Sequence, residues 1–220
     1  MSEKVMNKIK NGREYRQMVI EPVEGVTDQI VEGYATTFNQ PYELYSFDDD
    51  RGTHAVREQV APDAFKDADM SDVIMQYDHA GRVFARLSNG TLSLEEDEHG
   101  LKVRANLGGT EIGRQLFEEI QGGYTSKMSF GFTVAEDDIV PDGTDYLRTI
   151  KRIGKLYDVS AVSLPANDFT EISARSHCDG AIAEIEAERL RAEKEAEEQR
   201  QRLEEIQNRL KALKGETHGD

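Results

Sequence analysis

The sequence predicts a β-rich α+β domain, a closed or partly open β-barrel with a few helices, followed by a long C-terminal α-helix. Three observations predict it. From Val19 to about Ser176 the chain runs in short apolar segments broken by Gly, Asp, Asn and Pro. Inside that stretch a single segment repeats at helical spacing. From Ala181 to Lys214 there is neither Pro nor Gly, and Ala, Glu, Leu, Arg and Lys dominate.

Residues 1–18 are polar and lack a clear period, so a flexible N-terminal arm is expected there, at most a first strand. QIVEGYATTF reads as a strand that ends before Asn39–Gln40–Pro41, and SFDDDRGTH (46–54) as a polar loop. SDVIMQYDH reads as a strand entered from a turn at Asp69–Met70–Ser71. TLSLEEDEHGLKVRANL is a hairpin. Leu92 and Leu94 alternate on one arm, Leu101, Val103 and Ala105 on the other, and the acidic stretch with Gly100 makes the turn. In TEIGRQLFEEIQGG the period becomes helical through Ile112, Leu116, Phe117 and Ile120, with Thr110 as N-cap and Gly122 as stop. Period two returns in MSFGFTV and in KLYDVSAVSL.

The folded domain is therefore placed at 19–176, a linker at 177–180, a helical tail at 181–214 and a disordered end at 215–220. A 3-4-3-4 spacing runs along the tail from Ile182 and Ile185 to Leu203, Ile206, Leu210 and Leu213, with Arg189 and Gln199 as faults. Two readings fit it. One is a coiled-coil-like helix that self-associates or pairs with a partner; the other is a lone solvated helix held by Glu–Lys pairs about four residues apart.

Composition narrows the function classes. Of 220 residues, 43 are acidic and 27 basic, for a net charge of −16, and mean hydropathy is −0.66. Such a surface repels nucleic acid, and no basic stripe with interleaved aromatics is present. The charge is uneven: −13 falls in residues 1–180 and −3 in 181–220, which suggests two structural units. No apolar run approaches the roughly 18–20 residues of a membrane span, so no membrane partner is expected. MSEKVMNKIK has no apolar h-region, so no secretory signal is read there. The single Cys178 excludes an internal disulfide and a multi-cysteine metal cluster, which fits a reducing cytoplasm.

The five histidines separate by position. His218 lies in the tail end and His99 at a hairpin turn. His54 follows the Asp-rich loop and is expected to be exposed. His177 adjoins Cys178, two metal ligands with nothing nearby to complete a site. His79 differs: it ends VIMQYDH where a strand meets a loop, so the sheet can fix its backbone while the ring sits at a rim. It reads as a catalytic base or as a hydrogen-bonded structural histidine. In MSFGFTV, Met128, Phe130, Phe132 and Val134 share one face, and Ser129, Gly131 and Thr133 the other. The small face leaves space beside Ser129 for a substrate or an imidazole, or is simply closely covered. Asp158 lies in a run so apolar that its strand is expected to be buried on both faces. A carboxylate there costs roughly several kcal/mol unless it is paired. Its partner is then an Arg or Lys, or an imidazolium that it orients.

A hydroxyl, an imidazole and an acid have the logic of a nucleophile, a base and a group that orients the base. A serine hydroxyl is nearly unreactive at neutral pH, so a base must take its proton during attack. No G-x-S-x-G elbow, G-x-G-x-x-G or P-loop is present, which disfavours α/β-hydrolases and nucleotide enzymes.

Taken in order, five segments make the region from about Gly33 to Ser176 resemble the HK97-type prohead proteases of tailed bacteriophages, the serine peptidases of capsid maturation. They are GYATTFNQPYEL, VIMQYDHAGRVFARL, TLSLEEDEHGLKVRANL, MSFGF and LYDVSAVSLPANDFTEI. The resemblance implies a barrel-like peptidase fold related to the herpesvirus assemblins, occupying 19–176. It implies His79 as general base and Ser129 as nucleophile, with Asp158 in the third position, where the family more often has Glu. Asp78, beside His79, is a rival acid, although neighbouring strand residues point to opposite faces. Backbone N–H groups at Gly131 or in the loop after Leu164 are the expected oxyanion donors. No cofactor or metal is implied. The implied substrates are the scaffolding segment of the major capsid protein and the protease itself, inside the assembling prohead in the host cytoplasm. DFTEISARSHCDG, between domain and tail, is the expected self-cleavage site. Two other classes remain: a non-catalytic scaffold or assembly protein that keeps the protease fold, and a coiled-coil adaptor whose β domain binds peptides without turnover.

Overall fold

The computed structural model describes residues 13–24, 28–163 and 168–216. Ten strands form one curled, half-barrel sheet. They are β1 (Arg13–Pro22), β2 (Ile30–Thr37), β3 (Tyr42–Asp49), β4 (Gly52–Val60), β5 (Ile74–Tyr77), β6 (Ala80–Arg86), β7 (Leu92–Glu96), β8 (Gly100–Asn106), β9 (Lys127–Asp142) and β10 (Asp145–Val162). Two helices accompany them, α1 (Glu111–Gln121) and α2 (Asp168–Glu216). The main path runs β3-β4-β10-β9-β1-β2-β8-β7. No helix among the described residues is long and apolar enough to cross a membrane.

β10 is the spine. One edge pairs antiparallel with β9 along nearly its whole length, with several register shifts. The other edge pairs parallel with β4 at Tyr146–Ile150 and with β5 at Asp158–Ala161. β5 is only four residues long and returns through β6. The alternation in MSFGFTV sends Met128, Phe130 and Phe132 into the core, where the two phenyl rings stack with centroids 4.6 Å apart. The β7–β8 hairpin forms in the register that its leucines predict, Leu92 against Ala105 and Leu94 against Val103. α1 starts at Thr110, whose side chain accepts the N–H of Gly113, and buries Leu116 and Ile120. Gly113 is there for close approach: a Cβ on it would lie 2.2 Å from the Leu107 carbonyl oxygen.

Four expectations need correction. The first strand begins at Arg13, so residues 13–18 are not a loose arm. They pair with Thr133–Met128 of β9, and their polar side chains include a buried ion network. Residues 46–54 are a hairpin and not a loop, with Phe47 opposite His54 and Tyr45 opposite Val56. The acidic groups that suggested a loop make local bonds instead: Asp48 accepts the Thr53 hydroxyl, and Asp49 accepts the Arg51 guanidinium and N–H. His54 is buried, not exposed. Its Nδ1 bonds the Thr144 carbonyl and its Nε2 lies 2.8 Å from Asp49 Oδ1. Finally, α2 begins at Asp168 and runs through the expected linker 177–180. A single glycine costs a helix about 1 kcal/mol, which the helix-forming neighbours of Gly180 absorb. The chain nonetheless divides into two compact units, one ending at Cys178 and the other starting at Asp179. The second is helical through Glu216, and its exposed positions include Leu190, Leu203 and Ile206. The expected arm at 1–12 and most of the expected disordered end, 217–220, lie outside the described residues.

Five strands meet in a buried ion network. Arg16 of β1 bonds Glu14 at 2.6 Å and both oxygens of Glu58 in β4, at 2.6 and 2.7 Å. Arg148 of β10 bonds Glu14, Glu58 and Asp137 of β9 at 2.6–2.9 Å. Tyr42 of β3 donates to Glu58. Burial alone pushes the Glu14 carboxyl up, but the hydrogen bond from Arg148 and the charge of Arg16 outweigh it and hold the group below its usual range. Its stabilising contribution is therefore present above the ordinary carboxylate range and is lost as pH falls through the depressed value.

Removing one member strands the others. Arg148→Ala is expected to lower the unfolding free energy of the β domain by about 3–5 kcal/mol in urea titration; a loss under about 1 kcal/mol would contradict the network's role. His54 has the opposite pH sign. The Thr144 carbonyl and then Asp49 raise its pKa, so its contribution is complete below about pH 6.5 and fades as pH rises through the raised value. Thermal melts at pH 6 and pH 8 should show a larger loss on alkalinisation for the parent chain than for His54→Gln.

Candidate active site

Three adjacent strands build the site: β9, β10 and β5. Met128, Phe130 and Phe132 take the core face of β9, so Ser129 and Gly131 take the other. Across the antiparallel ladder Ser160 lies opposite Ser129, and Asp158 opposite Gly131. Directly opposed residues point to the same side. Ser129, Ser160 and Asp158 therefore share one face, and Gly131 presents no side chain where the carboxylate needs room.

The imidazole arrives from the far edge of β10. β5 and β6 are joined by a two-residue turn, with Tyr77 paired to Ala80. Both central residues have positive φ, Asp78 at 47° and His79 at 56°. That is the turn handedness that matches strand twist, but it normally recruits Asn, Asp or Gly. A histidine held there costs on the order of 1–3 kcal/mol, a strain that surrounding structure must offset. His79 is thus the second turn residue, and not the end of a strand as its sequence suggests.

The turn carries the ring over Asp158. His79 Nδ1 lies 2.5 Å from Asp158 Oδ1, and Nε2 lies 2.8 Å from Ser129 Oγ. A carboxylate accepts only, so it fixes the proton on Nδ1 and leaves the Nε2 lone pair facing the serine hydroxyl. Ser160 donates its hydroxyl to the same Asp158 oxygen at 2.7 Å. Asp158 and Ser129 are 3% and 2% exposed, while the His79 side chain keeps 19%. The arrangement can pass a proton from the hydroxyl to the ring while the carboxylate balances the imidazolium that forms.

His79, Ser129 and Asp158 are thus brought together in one chain of bonds. Asp78 is placed elsewhere: its carboxylate accepts from Ser163, whose N–H donates at 2.9 Å and whose hydroxyl donates at 2.9 Å. His99 meets Tyr34 edge-on at 4.5 Å, and His177 bonds Asp137. Cys178 is buried, and burial pushes its thiol up to about 12, far from a reactive thiolate. Among the described residues no group of three or more His, Cys, Asp or Glu could hold a metal ion. His218 and residues 164–167 lie outside the described residues. Gly131 is flanked by β10 and β1, so its N–H lies in the plane of the sheet and not out of the face that bears the Ser129 hydroxyl. It is a poor oxyanion donor.

Ser160 is the residue of this candidate site that sequence reasoning missed. The signal was present in its period-two relation to Asp158, since DVS puts both on one face. What the sequence could not show is the register that sets Ser160 opposite Ser129. A groove of about 510 Å³ is lined in part by Val19, Pro22, Tyr34 and Lys102. Val19 pairs with Lys127, which makes it a diagonal cross-strand neighbour of Ser129, and it is 49% exposed.

Comparison with known proteins gives a family. No curated protein and no solved structure gives a significant match. The family described as caudovirus prohead serine protease matches residues 16–181, which includes β5, β9, β10 and the turn that bears His79. A match over that much of the chain shows that it belongs to the caudovirus prohead serine protease family.

Proposed function

We propose that the chain is a head-maturation endopeptidase that cuts the scaffolding segment of the major capsid protein through an acyl-enzyme on Ser129. The observation that carries the reading is the continuous set of bonds from Ser129 Oγ through the His79 ring to Asp158. Ser129 Oγ attacks the scissile carbonyl carbon while Nε2 of His79 takes its proton. The tetrahedral intermediate collapses, the C–N bond breaks, and the imidazolium gives the proton to the leaving amine. Water then repeats the sequence on the ester and frees Ser129. Asp158 steadies the imidazolium, and Ser160 holds the carboxylate. No metal or cofactor enters any step.

The same proposal sets the reaction in the host cytoplasm, inside the assembling prohead, and extends the fold's kinship to the herpesvirus assemblins. The exposed side chains at Leu190, Leu203 and Ile206 support a tail that pairs with scaffold helices or with a second copy. Self-cleavage within 168–180 belongs to it as well. That segment is helical, so it must unwind before it can be cut.

Co-expression with the cognate capsid protein tests the reading. A shortened capsid product is expected with the parent chain and is expected to vanish in Ser129→Ala and His79→Ala. Asp158→Asn should cut turnover by about 10⁴ through loss of the correct tautomer. Persistence of the product in Ser129→Ala overturns the proposal and leaves an assembly role. Identical intact masses for the purified parent chain and Ser129→Ala would reject self-cleavage. Ser160→Ala should lower kcat about tenfold with KM unchanged, as expected for one lost hydrogen bond to a charged group.

A further inference from the structure

We propose that Asp78 is a positioning residue, a clamp that fastens the His79 turn to the end of β10. The inference rests on the reading of His79 as the base. His79 occupies a left-handed backbone position that few non-glycine residues take, and the turn joins two short strands. The strain requires an anchor. Asp78 supplies one bond to the strand that also carries Asp158 and Ser160 and two to Ser163, the residue just past that strand's end. Its N–H donates to the Ala161 carbonyl at 2.9 Å. Its Oδ1 accepts the Ser163 N–H at 2.9 Å, and its Oδ2 accepts the Ser163 hydroxyl at 2.9 Å. Turn and acid thereby share one frame, and the backbone that carries the His79 ring cannot move relative to Asp158 without disturbing the bonds to Ala161 and Ser163. Asp78 acts by the geometry of an acceptor in a left-handed turn. Its charge is not required, which separates it from Asp158.

That distinction sets the test. Asparagine keeps an acceptor oxygen at the same reach and tolerates positive φ better than most residues. Alanine loses the acceptors and the tolerance. Displacement of a reacting group by about 1 Å can cost on the order of 10²-fold in rate. On a peptide spanning the capsid cleavage junction, Asp78→Ala is expected to lower kcat by about 10–100-fold with KM within about twofold. Asp78→Asn should stay within about threefold of the parent chain, with the acid limb of its kcat/KM profile unmoved. Ser163→Ala, which keeps its N–H, should lose only a few-fold, and Asp78→Ala/Ser163→Ala should be no worse than Asp78→Ala alone.

Full kcat in Asp78→Ala overturns the proposal, as does an Asp78→Asn variant as impaired as Asp78→Ala with a displaced acid limb. In the latter case Asp78 works by charge. The parent chain and Ser129→Ala run on the same peptide separate this failure from failure of the underlying reading. If Ser129→Ala still hydrolyses the peptide, the site assignment itself is lost; if it is silent, the Asp78 variants speak to the clamp alone.

Discussion

A carboxylate in the middle of a buried strand must be answered by donors, and the answer given to Asp158 organises this molecule. At 3% exposure it cannot rely on water. Its partners are a ring nitrogen of His79 and the hydroxyl of Ser160. The first comes from a turn that reaches across β10, and the second from its own strand two residues on. Once the carboxylate is satisfied this way, the opposite ring nitrogen is left directed at Ser129. Sheet register does the rest, because it sets Ser160 opposite Ser129 and Asp158 opposite glycine.

β10 joins the two kinds of buried charge in the domain. Its first half contributes Arg148 to a network in which every charge meets an opposite one. Such a network holds strands in register, and its energetic signature is the damage done when one member is lost. Its second half contributes Asp158, whose partners are a titratable ring and a hydroxyl. The chemical difference lies in the partner. A guanidinium stays protonated and can only hold, whereas an imidazole can take up and release a proton near neutral pH.

Much of this was legible in the sequence, and the limits have physical causes. The β7–β8 hairpin and α1 were legible because alternation and capping are local properties. Ser129 and Asp158 were legible as oddities: a small face beside a fully apolar one, and an acid inside an apolar run. His79 was legible as a rim histidine and a candidate base; its left-handed turn and the bonds of Asp78 to Ser163 depend on where β10 ends, which no local pattern encodes. The β3–β4 hairpin was hidden because its acidic residues bond within the hairpin while looking like loop composition. Arg13–Met18 was hidden because Glu14 and Arg16 are buried against charges from β4 and β10. The helix start at Asp168 was missed because the Pro- and Gly-free, helix-favouring run begins only at Ala181, after Gly180.

The central claim is that Ser129 is activated by His79 under the control of Asp158. Covalent labelling with a fluorophosphonate tests it most directly, since the reagent phosphonylates an activated serine with loss of fluoride and needs no knowledge of the natural substrate. After labelling, digestion and mass spectrometry, the account predicts one modified serine, Ser129, with labelling abolished in His79→Ala and greatly slowed in Asp158→Asn. Labelling of a different serine, or equal labelling of Ser129 in His79→Ala, would contradict it.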